Sequence, residues 1–561
     1  MTVRDGLRPL ERDVIVVGAG GAGLATAVAA AHQGLDVLVV EKSAFYGGAT
    51  AWSGGNVWAP ANSLLREKGE EDCQGDALAY LEAVVGEHLD PDLARAFLDA
   101  VPQMVDFFQY RTPVKFQVQS RFADHYPGMP GACRTGRCLT PVPYDGRKLG
   151  PALRHLREPL EQVNAPFGMM IDYEDVDHLR DMTQSVRSLW YVAGMLMRLL
   201  WDKLRHARGT RLTMGNALVA RLVRAALDSG VEIQLETSAR QLVHGAGRVT
   251  GVIAEHRGRP RLLKARRGVV LATGGFSADE TLRRQFIPFP EQHVSLMPDE
   301  NDGSGIRMGL NAGGSLGEGN RNNADWVVVS VGRKSDGSSV KCLHTVLDRP
   351  KPGCIAINRA GQRFCNEAAR DMVEAMHRTG SVPAYLICDS RFIKKYGLGL
   401  VKPGGLGLKS FLASGYLIKA ADVAELAALT GVDHHTLQGT IDRFNQLARQ
   451  GHDQDFGRGN SDYDRTNGDH DHAPNPCLGP LDKPPYYGVK IYPGDASTWV
   501  GLRIDSRTRV LDGKGVPVAG LHAVGLDAHS LWRGTAPSLG SNNTLSLTLG
   551  YITAMTLADC C

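Results

Sequence analysis

Two short apolar runs lie near the start of the chain, each entered through an aspartate: Asp13-Val-Ile-Val-Val before Gly18, and Leu35-Asp-Val-Leu-Val-Val before Glu41. Between them Gly18-Ala-Gly20-Gly21-Ala22-Gly23 opens a stretch rich in alanine. Continuous apolar runs suit strands covered on both faces, so the pattern predicts strand, glycine turn, helix, strand. Two later runs also end in glycine turns, Gly268-Val-Val-Leu-Ala272-Thr273-Gly274-Gly275 and Gly520-Leu-His-Ala-Val-Gly525-Leu-Asp527. A last helix of small residues is predicted after Gly540, through Asn543 and Leu545 to Gly550. Gly215 to Leu227 has the spacing of an amphipathic helix, and a strand meander is expected about Gly247. Residues 63 to 210 read as mainly helical, with a loop at Asp124-His125-Tyr126-Pro. From 278 to 485 strand and helix patterns mix, and no phosphate-type loop occurs. The longest apolar run, Leu189 to Trp201, carries Arg198 and is too short to span a bilayer. Core packing, an apolar substrate channel or a resting contact on a membrane surface stay open for it.

The glycines define chemistry. Gly18 permits a tight turn, Gly20 lets the backbone approach a pyrophosphate, and Gly23 lets helix and strand pack closely, with Gly21 and Ala22 at the helix's positive end. Glu41 then stands where a ribose offers its hydroxyls, so this is a dinucleotide site. The next stretch, Lys42-Ser-Ala-Phe-Tyr-Gly47-Gly48-Ala49-Thr50-Ala-Trp-Ser53-Gly54-Gly55, is small and hydroxyl-rich. Such residues suit a second phosphate and the edge of a flavin, which favours FAD over NAD. Ala272, Thr273 and Gly274, then Gly525, Asp527, Asn543 and Leu545, add two distant segments converging on the same cofactor.

Length and charge narrow the picture. The 561 residues allow two or three domains. The expected division is a FAD-binding domain over 1–277 with a mainly helical insertion at about 63–210, a substrate or capping domain over 278–485, and the rest of the FAD-binding domain over 486–561. With 63 basic against 60 acidic residues, no charge excess calls for a nucleic-acid partner. Met1 to Arg12 lacks the apolar core of a signal peptide, which points to the cytoplasm. The ten cysteines, including Cys560-Cys561, lack metal-type spacing and read as reduced thiols, and no haem attachment motif occurs. No metal is expected; the histidines and aspartates between Gly451 and His472 read as a solvated loop. Electrons therefore pass to a separate acceptor, a quinone or a soluble carrier.

Several motifs together resemble the flavoproteins grouped with fumarate reductase and succinate dehydrogenase. They are the Gly18-to-Glu41 fingerprint, Gly47-Gly48-Ala-Thr50 with Ser53-Gly54-Gly55, Ala272-Thr273-Gly274-Gly275, Gly361-Gln-Arg-Phe-Cys-Asn366-Glu367, and the Gly525-to-Gly550 tail. Pro474-Asn-Pro-Cys-Leu, Pro485-Tyr-Tyr487 and Pro493-Gly-Asp495 are similar to the 3-ketosteroid dehydrogenase branch. The resemblance implies an α/β fold: a Rossmann-type FAD-binding domain with an inserted α+β substrate domain and FAD held noncovalently. It also implies desaturation of a carbon pair beside a ketone, by proton abstraction and hydride transfer to flavin N5, in a small apolar cyclic ketone.

The chain departs from that branch at its three expected tyrosines. His125 or Tyr126 stands for the first, Ala368-Ala-Arg370-Asp371 occupies the second segment, and Ala536-Pro-Ser-Leu-Gly540 replaces the Tyr-Pro-Gly-x-Gly tail. The candidates for base and orienting donors are Tyr487, Tyr126, Tyr191 and His125, with the backbone at Gly540 polarising the carbonyl. Arg370 reads either as a substrate contact or as an ion partner of Asp371. An Arg-Asp pair after Asn-Glu is also similar to the fumarate-reducing branch. This implies the alternative, a fumarate- or urocanate-type ene-reductase with Arg370 as proton donor.

Overall fold

A parallel sheet forms where the apolar runs predict it. The computed structural model describes residues 10–559 except 121, 161–163, 166–167, 182–184, 207 and 334–336. Residues 1–9 and Cys560-Cys561 lie outside the described residues. Strand Leu10–Val17 pairs in parallel with Val37–Val40 on one side and with the second half of Arg259–Leu271 on the other. Glu232–Gln234 and Pro517–Ala523 extend the parallel core outward. The meander about Gly247 is an antiparallel pair, Thr237–Gly245 and Arg248–His256, hydrogen-bonded to the first half of Arg259–Leu271. The glycine turn leads into helix Gly21–His32, which is buried from Gly21 to Ala30 and packs on the last helix, Ser541–Asp559.

The helical insertion does not stand apart. Helix Pro91–Arg111 packs on Ser541–Asp559, and Trp58, Phe97 and Trp532 meet edge to face with centroids 5.4 to 5.8 Å apart. The insertion and the nucleotide sheet thus share one core. Helix Met214–Asp228, expected to be amphipathic, is buried nearly all round. Its Arg221 is enclosed and donates to the carbonyls of Pro113, Val142 and Pro143.

A second sheet of seven strands has the order Ser339–His344, Ala324–Arg333, Tyr486–Thr498, Ala384–Asp389, Cys354–Ile357, with Val294–Ser295 and Leu417–Ala420 also on the long central strand. The expected boundary at 485/486 therefore shifts. Tyr486–Thr498 is the spine of the capping sheet, and the chain rejoins the nucleotide sheet only afterwards, at Arg509–Leu511 and Pro517–Ala523. An apolar strand pattern states that a strand is buried, not which sheet accepts it.

Candidate active site

Between the two sheets lies a cavity of about 2250 Å³. Ligand pockets are ordinarily about 300–1,000 Å³, so this one has room for a dinucleotide and a second molecule.

Its nucleotide wall is built as the glycines require. Gly18 has φ +111°, and a Cβ there would sit 2.2 Å from the Ala272 carbonyl oxygen; one on Gly23 would sit 1.9 Å from that of Gly18. Gly20 is the opposite case: a Cβ there would meet nothing within 4 Å, so its backbone faces open space. Glu41 is partly buried and accepts from the amides of Ala19 (2.8 Å) and Ser43 (2.9 Å). Burial pushes its carboxyl upward against those bonds. Lys42, Gly48, Ala49, Thr50, Ser53 and Gly54 line the same wall, Lys42 paired with Asp302 at 2.8 Å. Gly18, Gly20, Gly21, Ala22, Ala272, Thr273, Gly274, Gly525 and Asn543 also line it.

Five expected cofactor residues do not reach the cavity. Gly23, Gly47 and Gly55 shape turns behind it, and Leu545 is core. Asp527 is fully buried; it accepts from the Thr273 amide (2.6 Å), the Thr273 hydroxyl (3.0 Å) and the Gly275 amide (3.0 Å). It ties the tail to the Thr273 turn. Asp527→Ala strands those donors at about 1–3 kcal/mol each. A lower melting temperature and reduced flavin content in the purified variant are expected, and unchanged values for both would refute this role.

Across the cavity, His125, Arg370, Tyr463, Asp325, Asn542 and Gly540 come together. Gly540 has φ +87°, and a Cβ there would lie 2.4 Å from the Asn56 carbonyl carbon. It sits just before the last helix, whose first N–H groups have no partner within the helix and carry its positive end. The His125 amide donates to the Pro537 carbonyl (3.0 Å) and its Nδ1 lies 2.7 Å from the Ala536 carbonyl. A carbonyl only accepts, so Nδ1 carries the proton and Nε2 keeps a free lone pair. Burial, then the charge of Arg370, lowers the imidazole to about 3, so it is neutral.

Arg370 pairs with Asp325, not with its neighbour Asp371, and donates to the Trp326 carbonyl (2.7 Å). Burial opposes its charge, but Asp325, Tyr463 and Tyr126 together outweigh burial and hold the guanidinium protonated. Asp325 in turn accepts from Asn542 Nδ2 (2.9 Å), which also donates to Ser497 (3.0 Å). Tyr463 meets the His125 ring edge to face at 5.4 Å. Its helix, Asp462–Asn467, is held by Asp464, which accepts from Asn366 (2.8 Å) and the Gly459 amide (2.9 Å). The stretch expected to be a solvated loop is thus partly buried; Arg458 is fully enclosed and pairs with Glu367 at 3.0 Å. No group of histidine, cysteine and carboxylate able to hold a metal occurs among the described residues.

The three candidate tyrosines lie outside the lining. Tyr487 is buried in the capping sheet opposite Cys388 and Lys419. Tyr191 donates to Asp175 (2.7 Å) and stacks on His178. Tyr126 packs on the first core, its amide donating to the Tyr80 hydroxyl (3.3 Å). Asp325, Asn542 and Tyr463 were not singled out by sequence. Only Tyr463, an aromatic inside a polar stretch, left a trace there.

A glycine-lined dinucleotide wall facing a second, polar-edged chamber defines a flavin-dependent oxidoreductase. The chain belongs to the FAD-binding domain family, which matches residues 13–543. It is similar to 4-oxocyclohex-2-ene-1-carboxylate 5-dehydrogenase of Sinomonas cyclohexanicum, 37% identical over 96% of this chain and 92% of that one. It is also similar to 3-oxosteroid 1-dehydrogenase of Mycobacterium tuberculosis, 35% identical over 98% of each chain. The structure of 3-ketosteroid Δ1-dehydrogenase from Sterolibacterium denitrificans, in complex with 1,4-androstadiene-3,17-dione, matches with TM-score 0.91 at 33% identity, covering 98% of this chain and 99% of that one. Among the described residues no helix is long and apolar enough to cross a membrane.

Proposed function

We propose that this enzyme introduces a double bond next to the carbonyl of a cyclic, mostly apolar ketone, a steroid or a smaller alicyclic ring. The observation that carries this reading is the neutral His125 beside the amino end of the last helix, across the cavity from the nucleotide wall. A C–H beside a ketone is a weak acid, so the developing enolate needs donors where its charge appears. The backbone at Gly540 and the helix end behind it supply them. His125 Nε2 takes the proton. Its low basicity is offset as negative charge builds on the substrate oxygen beside the imidazolium. Tyr463 holds the imidazole ring in place, and Arg370 with Asp325 fixes the edge of the chamber. Gly18, Gly20 and Glu41 would hold FAD noncovalently, and the flavin would supply the acceptor for the hydride. A separate electron acceptor, a quinone or a soluble carrier, then reoxidises the protein.

Anaerobic mixing of the purified protein with a panel of saturated cyclic ketones tests the reading: flavin absorbance should bleach. Failure of every ketone, with reoxidation of the reduced protein by an unsaturated acid, would establish the reverse direction. One observation favours that second reading, an ene-reductase: Arg370 lines the chamber with Nε unbonded. A guanidinium held so firmly protonated is a poor proton donor, however. Arg370→Lys is therefore expected to lower ketone desaturation by only about tenfold or less, the scale of one weakened ion-pair contact. Complete loss would point to the reductase.

A further inference from the structure

Helix Val186–Lys203 presents two unlike faces. Ser188, Val192, Met195, Leu199 and Asp202 are buried against the protein. Asp202, the only acidic residue of the helix, is turned inward, accepting from the Thr210 amide and hydroxyl at 2.8 Å each. The outer face carries Leu189, Trp190, Met197, Leu200 and Trp201, and Leu204 continues it, with Trp190, Met197 and Leu204 respectively 74%, 72% and 79% exposed. At helical spacing these side chains occupy one sector of about 120°. Arg187, Arg198 and Arg205 form a row along one border of the sector and Lys203 stands on the other. Arg205 lies over the Trp201 ring, 4.2 Å from its centroid.

We infer that this helix seats the protein on the surface of a bilayer bearing anionic lipid headgroups. The order across the helix is aliphatic centre, tryptophans, then arginines. That is the order of hydrocarbon edge, interface and phosphate layer in a membrane surface. Cations border the apolar stripe and no carboxylate is exposed on the helix, so its charge complements phosphate oxygens. A second copy of the same face would oppose like charges instead. The neighbouring helix Tyr173–Asp181 is fixed to this one through Tyr191 and Asp175. Ile171, Tyr173 and Leu179 of that region line the cavity. The seated helix is thus joined to a segment that lines the cavity.

Co-sedimentation of the holoenzyme with vesicles tests this independently of the reading of the active site. The expected result is binding to equimolar phosphatidylcholine–phosphatidylglycerol vesicles and much weaker binding to phosphatidylcholine alone. Added salt should weaken the former. Trp190→Asp with Trp201→Asp should reduce partitioning at least about tenfold. Arg187→Gln, Arg198→Gln and Arg205→Gln together should remove the preference for phosphatidylglycerol. An unchanged flavin spectrum and melting temperature in both variants shows that they are folded; should the tryptophan variant fail this check, Met197→Ser with Leu204→Ser replaces it and must show the same loss. Wild-type protein that stays in the supernatant with both vesicle types overturns the proposal. So does undiminished binding by the folded variants. Light scattering that finds a dimer, dissociated by the tryptophan changes, with vesicles ignored, would assign the face to self-association instead.

Discussion

Gly540→Ala is expected to lower kcat with a cyclic ketone by about 10²–10³-fold, the scale of one lost oxyanion donor. Two physical effects converge there. The residue has φ +87°, and the new methyl would fall 2.4 Å from the carbonyl carbon and 2.5 Å from the carbonyl oxygen of Asn56, backbone atoms that cannot swing away. Left-handed backbone at a non-glycine residue costs about 1–3 kcal/mol by itself. Relief therefore comes from displacing the start of the last helix, which carries the donors. Flavin content should fall far less than turnover, because the pyrophosphate wall around Gly18 and Gly20 is a separate structure. Steady-state rates normalised to bound flavin check this, and a variant with wild-type kcat would remove the helix end from the carbonyl-binding role.

His125→Phe is the second large effect, a loss of about 10²–10⁴-fold in kcat, the range for a missing general base. Phenylalanine keeps the ring against Tyr463 but deletes Nε2 and the bond to Ala536. The pH profile of the wild type supplies a sharper check. Burial depresses the imidazole from 6.5 to about 3, so Nε2 is unprotonated over the whole neutral and mildly acidic range. The acid limb of kcat/KM should therefore show no inflection near 6.5 and fall only as pH approaches about 3. The same depression has a stability consequence. The unfolded chain binds a proton at His125 below 6.5 while the folded chain does not until about 3, so stability is full above 6.5 and declines as pH falls through that window. An acid limb centred near 6.5 would show that the base is not an imidazole depressed to about 3.

The nucleotide half was legible in the sequence because its requirements are local. A tight turn, a close backbone approach and a close helix contact each demand glycine at a fixed spacing, and Gly18, Gly20 and Gly23 meet those three needs in space as in sequence. The capping half obeys no such local rule. Tyr487 carries the right chemistry, but strand alternation alone does not say whether its ring faces a cavity or the interior of a sheet, and it faces the interior. Tyr463 was hidden for the converse reason. The charges around it suggest solvent, yet they are matched by partners far along the chain: Arg458 by Glu367, Asp464 by Asn366. Asp325 and Asn542 carry no motif; they matter only because the capping sheet and the last helix meet.

That meeting, Arg370 to Asp325 to Asn542, makes the placement of the capping sheet and the aim of the helix end a single mechanical event. A ketone too bulky to let the amide of Asn542 reach its carboxylate partner would still be held in the chamber, but with its oxygen addressed from the wrong angle. Selectivity among rings would then be exercised after docking, as a difference in kcat between ligands of similar affinity.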